Sequence, residues 1–94
     1  MSRLWLIAYD IADDKRRRRL AKYLENHTDR VQESVFEGWL SPEEVRQLST
    51  KVSSMIELKE DTVRLYPISG DAQRRRQTQG TMPTTEPTAG FWWC

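Results

Sequence analysis

Cysteine occurs once, at Cys94, so the chain can build neither a disulfide framework nor a Cys/His zinc spacing. Histidine also occurs once, at His27, close to an expected helix end, where interaction with the helix dipole is explanation enough. No Ser/His/Asp set, glycine-rich phosphate loop or glycosidase-type pair of local carboxylates can be assembled. Long hydrophobic runs are missing too. The N-terminal apolar stretch is broken by Asp10 after about six residues, too short for a secretory signal and far too short to cross a bilayer, so a cytoplasmic protein with no membrane association is expected. Apolar material is scarce, with 31% charged residues and a mean hydropathy of −0.77. A chain of 94 residues is one small domain, and small domains bury a smaller share of their surface, a deficit that dimerisation commonly relieves.

What is present is an uneven distribution of charge. The net charge of +1 hides eight Lys/Arg against five Asp/Glu in residues 1–30, three against seven in 31–61, and four against two in 62–94. A local basic excess fits a nucleic-acid patch better than a general affinity for polyanions. Leu4, Trp5, Leu6, Ile7 and Ala8 form a continuous apolar run, read as a central strand over 3–10, and Asp10 stands at its carboxyl end. Ligand chemistry in α/β proteins gathers at such ends. Lys15 and Arg16 to Arg19 follow at once, placing a carboxylate beside phosphate-seeking groups.

Asp13 or Asp14 caps a helix running to about Asn26. At 100° per residue, Leu20, Ala21 and Leu24 share one face with Arg17; Arg16 and Tyr23 lie on its flank, and Lys15, Arg18, Arg19 and Lys22 point away. Arg17, and after it Arg16, are therefore the arginines expected to face the sheet and Asp10 and to bind phosphate bidentately. Arg30 to Leu40 reads as two short strands with a bend. Ser41, Pro42 and Glu44 spell a capped helix start, followed by an apolar stripe of Val45, Leu48, Val52, Met55 and Ile56. Thr62 to Ile68 is the last strand, with Pro67 suited to an edge. The order is that of a ferredoxin-like βαββαβ sandwich of the α+β class. Both helices cover one sheet face in that plan, yet both alternate sets of the first strand are apolar, so the open face is expected to pair with a second copy as a homodimer, bringing two Asp10 side chains together. Residues 1–68 form the domain, and 69–94 a loop-like tail in which Arg74 to Arg76 could clamp a nucleic-acid backbone. Phe91 to Cys94 are apolar again and suit a short terminal strand or an anchor.

Magnesium prefers oxygen ligands and needs only one or two protein carboxylates when phosphates supply the rest, so a symmetric pair of Asp10 residues meets its minimum and a single one does not. The aromatics, Phe36 among them, are packing residues first, although an exposed ring could stack on a base.

Tyr9-Asp10-Ile11, Asp14-Lys-Arg-Arg with Leu20-Ala-Lys22, Arg30-Val-Gln with Ser34-Val-Phe-Glu-Gly38, and Asp61-Thr-Val-Arg-Leu-Tyr-Pro67 together resemble the CRISPR-associated Cas2 family over about residues 3–68. The resemblance implies a homodimer of ferredoxin-like subunits that works in spacer acquisition, bridging the Cas1 integrase and holding duplex DNA. It also implies a second role as a metal-dependent endonuclease on single-stranded RNA or double-stranded DNA, with Mg2+ or Mn2+ on Asp10. Tyr9, Arg17, Arg19, Arg30 and Phe36 are then the supporting residues, although helix phase directs Arg19 away from the core. Residues Asn26 to Asp29 replace the glycine usual before Arg-Val-Gln. The other functional class is a free-standing endoribonuclease of the related toxin type; a plain interaction module fits poorly with arginines packed beside Asp10.

Overall fold

Asp13 accepts a hydrogen bond from the backbone N–H of Arg16, and this cap starts helix α1 (Asp14–Glu25) directly after strand β1 (Arg3–Asp10). The computed structural model describes residues 1–80. After α1 come β2 (Asp29–Gln32), β3 (Val35–Leu40), α2 (Pro42–Met55), β4 (Thr62–Ile68) and a short helix α3 (Gly70–Arg74). At α2 the capping box is complete: the Ser41 side chain accepts from the Glu44 N–H, the Glu44 carboxylate accepts from the Ser41 N–H, and Pro42 opens the helix.

The four strands pair antiparallel in the order β2-β3-β1-β4, which leaves β4 at an edge and β1 in the interior. This is the ferredoxin-like α+β sandwich. Alternation along β1 separates two faces. Trp5, Ile7 and Tyr9 meet Leu20, Ala21 and Leu24 of α1 and Leu48 and Val52 of α2, with Phe36, Leu40 and Ile11 completing the core. Leu4, Leu6, Ala8 and Asp10 lie on the other face, in register with Trp39, Glu37 and Val35 of β3 and with Ile68, Tyr66, Arg64 and Thr62 of β4.

That second face is less bare than the topology suggests. Leu4 and Glu37 are buried on it although neither α1 nor α2 lies there. Glu37 is met there by the segment after β4, expected to be loop. Ser69 caps α3 by accepting from the Ala72 N–H, and the chain then turns back so that Arg76 donates to the Glu37 carboxylate at 2.7 Å, two strands away from β4. Loop was the expectation because five residues carry no readable apolar period. The short strand or anchor at Phe91 to Cys94 lies outside the described residues.

The turn from α1 into β2 is tightly seated. Thr28 is buried, its hydroxyl donates to the Leu24 carbonyl at 2.8 Å, and its backbone N–H meets the same oxygen at 2.8 Å. Gly38 of β3 lies directly beneath: a Cβ there would stand 2.5 Å from Thr28 Cγ2 and 2.9 Å from its Cβ. Glycine at 38 is thus required by close approach.

Candidate nucleic-acid interface

Asp10 is exposed at the end of β1, on the face away from the helices. It borders a cavity of about 250 Å3 lined by Ala8, Tyr9, Asp10, Thr62 and Arg64. Thr62 is its direct partner across the β1–β4 ladder, and Arg64 stands opposite Ala8, one diagonal step away on the same face. The Arg64 guanidinium reaches the Tyr66 hydroxyl at 3.3 Å. Sequence reasoning passed over Thr62, Arg64 and Tyr66, although their period-2 spacing on a strand was the signal that would have found them.

The loop beyond Asp10 is held by a buried carboxylate. Asp61, with a fully buried side chain, accepts from Arg16 Nε at 2.8 Å and Arg16 Nη2 at 3.2 Å, from the Ala12 N–H at 3.0 Å and from the Glu57 N–H at 2.8 Å. The Arg16 guanidinium, aided by those two backbone donors and opposed by burial, holds the Asp61 carboxyl down to about 2. Arg16 is in turn raised above its ordinary value, first by Asp61 and then by Glu60, whose carboxylate it meets at 2.7 Å. Arg16 therefore ties the start of α1 to the loop before β4, and its guanidinium is occupied.

Arg17 lies on the inner side of α1 as its helical phase requires. Its partners are the Ile11 carbonyl at 3.0 Å and the Asp14 carboxylate, so it braces the β1–α1 loop behind Asp10. Tyr9, Arg30 and Phe36 also come together, on the helix side of the sheet. The Tyr9 and Phe36 rings stack at 6.1 Å, the Arg30 guanidinium covers Phe36 at 5.2 Å and pairs with Glu25 at 3.5 Å, and the Tyr9 hydroxyl donates to the Glu33 carbonyl. Burial, partly offset by Arg30, raises the Tyr9 phenol above its ordinary value. Phe36 is 0% exposed, so its ring has no face left for a base. The stack stiffens β1 just behind Asp10.

The freely projecting cations lie elsewhere on α1. Lys15, Arg18, Arg19 and Lys22 are all exposed and fall within an arc of about 100°. None of the four forms an ion pair or a side-chain hydrogen bond among the described residues. Of the basic run in the tail, Arg74 and Arg75 pair with Asp71, and Arg76 with Glu37.

Among the described residues, no three His, Cys, Asp or Glu side chains converge to hold a metal. Asp10 in a single copy offers one carboxylate, so a magnesium ion there would draw its remaining oxygen ligands from water, a phosphate or a second copy. No helix among the described residues is long and apolar enough to cross a membrane.

A ferredoxin-like domain with an exposed strand-end aspartate on one side and an unpaired basic helix stripe on the other is the class that fold and surface define. Within that class, the chain belongs to the CRISPR associated protein Cas2 family, whose family model matches residues 2–76. It is 40% identical over 84 residues to the CRISPR-associated endoribonuclease Cas2 3 of Synechocystis, an alignment covering 89% of this chain and 91% of that protein. Among solved structures it superimposes on Cas2 of Streptococcus pyogenes with a TM-score of 0.73 at 33% identity, covering 82% of this chain and 99% of the other. A chain of a partial Cas6-RT-Cas1–Cas2 complex matches with a TM-score of 0.73 at 32% identity, covering 95% and 97%.

Proposed function

We propose that this protein acts in CRISPR adaptation as a homodimeric cytoplasmic scaffold that binds duplex DNA and bridges the Cas1 integrase. The observation that carries the reading is the match, over nearly the whole chain, to a protein described in a Cas1–Cas2 complex. Two features of the molecule support it. The four exposed cations of α1 form a stripe suited to the phosphate backbone, which is bound without reading sequence. The sheet face bearing Leu6, Ala8, Val35, Trp39 and Ile68 is only half-buried in one copy, and Tyr66 on it is 45% exposed, which favours a second copy packed there.

Endonuclease activity on single-stranded RNA or double-stranded DNA is the second role. The name of the Synechocystis relative favours RNA, the ligand of the free-standing endoribonuclease alternative. In a dimer the two Asp10 carboxylates supply the oxygen ligands for magnesium or manganese, which would polarise the phosphodiester and lower the pKa of water. Asp10→Ala is then expected to abolish divalent-dependent cleavage while the dimer persists in sedimentation. Spacer acquisition with Cas1 should survive the same change, because DNA positioning depends on the arginines and on shape. Loss of acquisition in a folded, dimeric Asp10→Ala protein would reverse the ranking of scaffold over nuclease.

A further inference from the structure

Three of the chain's nine aromatic residues stand in its last four positions, as Phe91, Trp92 and Trp93. Residues 81–90 before them are rich in threonine and proline, so an apolar cluster follows a polar spacer, the composition of a tethered anchor. A groove of matching character lies on the helix side of the sheet, opposite the face expected to take a second copy. It opens at the end away from Asp10, where β1 begins, β3 ends and α2 starts. Met1, Arg3, Trp5, Leu40, Pro42 and Val45 line about 510 Å3 there, a volume that suits aromatic side chains. Trp5 and Val45 pack against the core yet are only half-buried. Arg3 is exposed and forms no ion pair or side-chain hydrogen bond among the described residues, so its guanidinium is free to lie over an indole face. The chain is long enough to reach. Arg76 is fixed to Glu37, three residues before Leu40 on β3, and the fifteen residues from Arg76 to Phe91 span up to about 50 Å, against a longest molecular dimension of 38 Å.

We infer that this groove is the docking site for residues 91–93 of the same chain, with an indole seated against Trp5 and Val45 beneath the Arg3 guanidinium. The short tether holds the segment at a millimolar effective concentration, so a modest apolar contact suffices to keep it seated. The assignment is independent of the nucleic-acid reading above.

Cys94, the single cysteine, adjoins the aromatics and serves as the probe in the full chain. Ser2→Cys places a second thiol on the exposed groove wall, whereas Ser53→Cys places one on the exposed side of α2, about 12 Å along the helix from Val45. With a short bismaleimide, the Ser2→Cys protein should form its intrachain crosslink about tenfold faster than the Ser53→Cys protein, the enrichment a seated tether gives over a free one. Phe91→Ser, Trp92→Ser and Trp93→Ser combined in the Ser2→Cys chain should bring the rate down to that of the Ser53→Cys protein, because the tether keeps its length and loses only its anchor. Equal rates at the two cysteine positions, or a rate untouched by the triple serine change, would overturn the assignment. A crosslink from Cys94 of one chain to position 2 of another would overturn same-chain docking and give the groove to the segment of a second copy.

Discussion

Replacing Gly38 by alanine is the sharpest test of how α1, β2 and β3 are seated. The added Cβ would lie 2.5 Å from Thr28 Cγ2, 2.9 Å from Thr28 Cβ and 3.3 Å from Thr28 Cα. The first contact involves a methyl that could rotate away, but rotation would break the hydroxyl's bond to the Leu24 carbonyl in a buried place. The third involves backbone, which is fastened to the same carbonyl through the Thr28 N–H. Relief therefore means shifting the whole α1–β2 turn. Overpacking of this kind costs about 1–3 kcal/mol, and the backbone contact puts Gly38→Ala toward the upper half, about 2–3 kcal/mol. In a domain of this size that lowers the melting temperature by roughly 8–20 °C. Urea and thermal denaturation at matched protein concentration provide the measurement, since any dimer makes stability concentration-dependent. Thr28→Ser removes the offending methyl and keeps the hydroxyl, so the double variant should lose clearly less than the sum of the two single ones. Gly38→Ala with wild-type stability, or strict additivity in the pair, would refute the close-approach argument.

Three further outcomes follow from the same geometry. Because the folded Asp61 carboxyl is held down to about 2, below its unfolded value, its contribution is present above about pH 4 and lost as pH falls through the folded value; Asp61→Asn should be less stable than wild type at neutral pH, with the gap closing toward pH 2 in urea titrations. Arg18→Ala and Arg19→Ala should each lower the salt slope of duplex DNA binding by about one, whereas Arg17→Ala should act mainly on stability by releasing the β1–α1 loop; the opposite order in anisotropy and melting data would restore Arg17 to the role its helical phase suggested. Phe36→Leu should leave DNA binding unchanged while reducing stability by about 1 kcal/mol, as a fully buried ring would, and a selective loss of binding would refute its placement in the core.

The elements legible in advance were those whose signals are local. The apolar run ending at Asp10, the Asp13 cap and the Ser41-Pro42-Glu44 box each specify their structure within a few residues, and β1, α1 and α2 begin where those signals stand. Helical phase likewise separated Leu20, Ala21 and Leu24 from Lys15, Arg18, Arg19 and Lys22. What phase could not provide is the partner waiting on the inner side. Arg16 and Asp61 are 45 residues apart, and only the folded sheet brings them together, turning an expected phosphate ligand into a structural brace. Arg17 faces inward as read, yet Asp14 and the Ile11 carbonyl take it before Asp10 can. Tyr9, Arg30 and Phe36 are gathered as a group, but on the opposite side of the sheet from the Asp10 carboxylate, a distinction that depends on strand register. Arg76 illustrates the same limit: no local pattern marks it as the partner of Glu37.

The Arg76–Glu37 pair ties the segment after β4 to the sheet. Glu37 is 6% exposed, and its cation arrives from eight residues beyond the last strand. A chain cut after Ile68 would keep the four described strands and both long helices, yet lose the cation that Glu37 meets at 2.7 Å. The family match extends to residue 76, the position of that cation. The last eight residues of that match thus supply the counter-ion of an acid two strands inside the sheet.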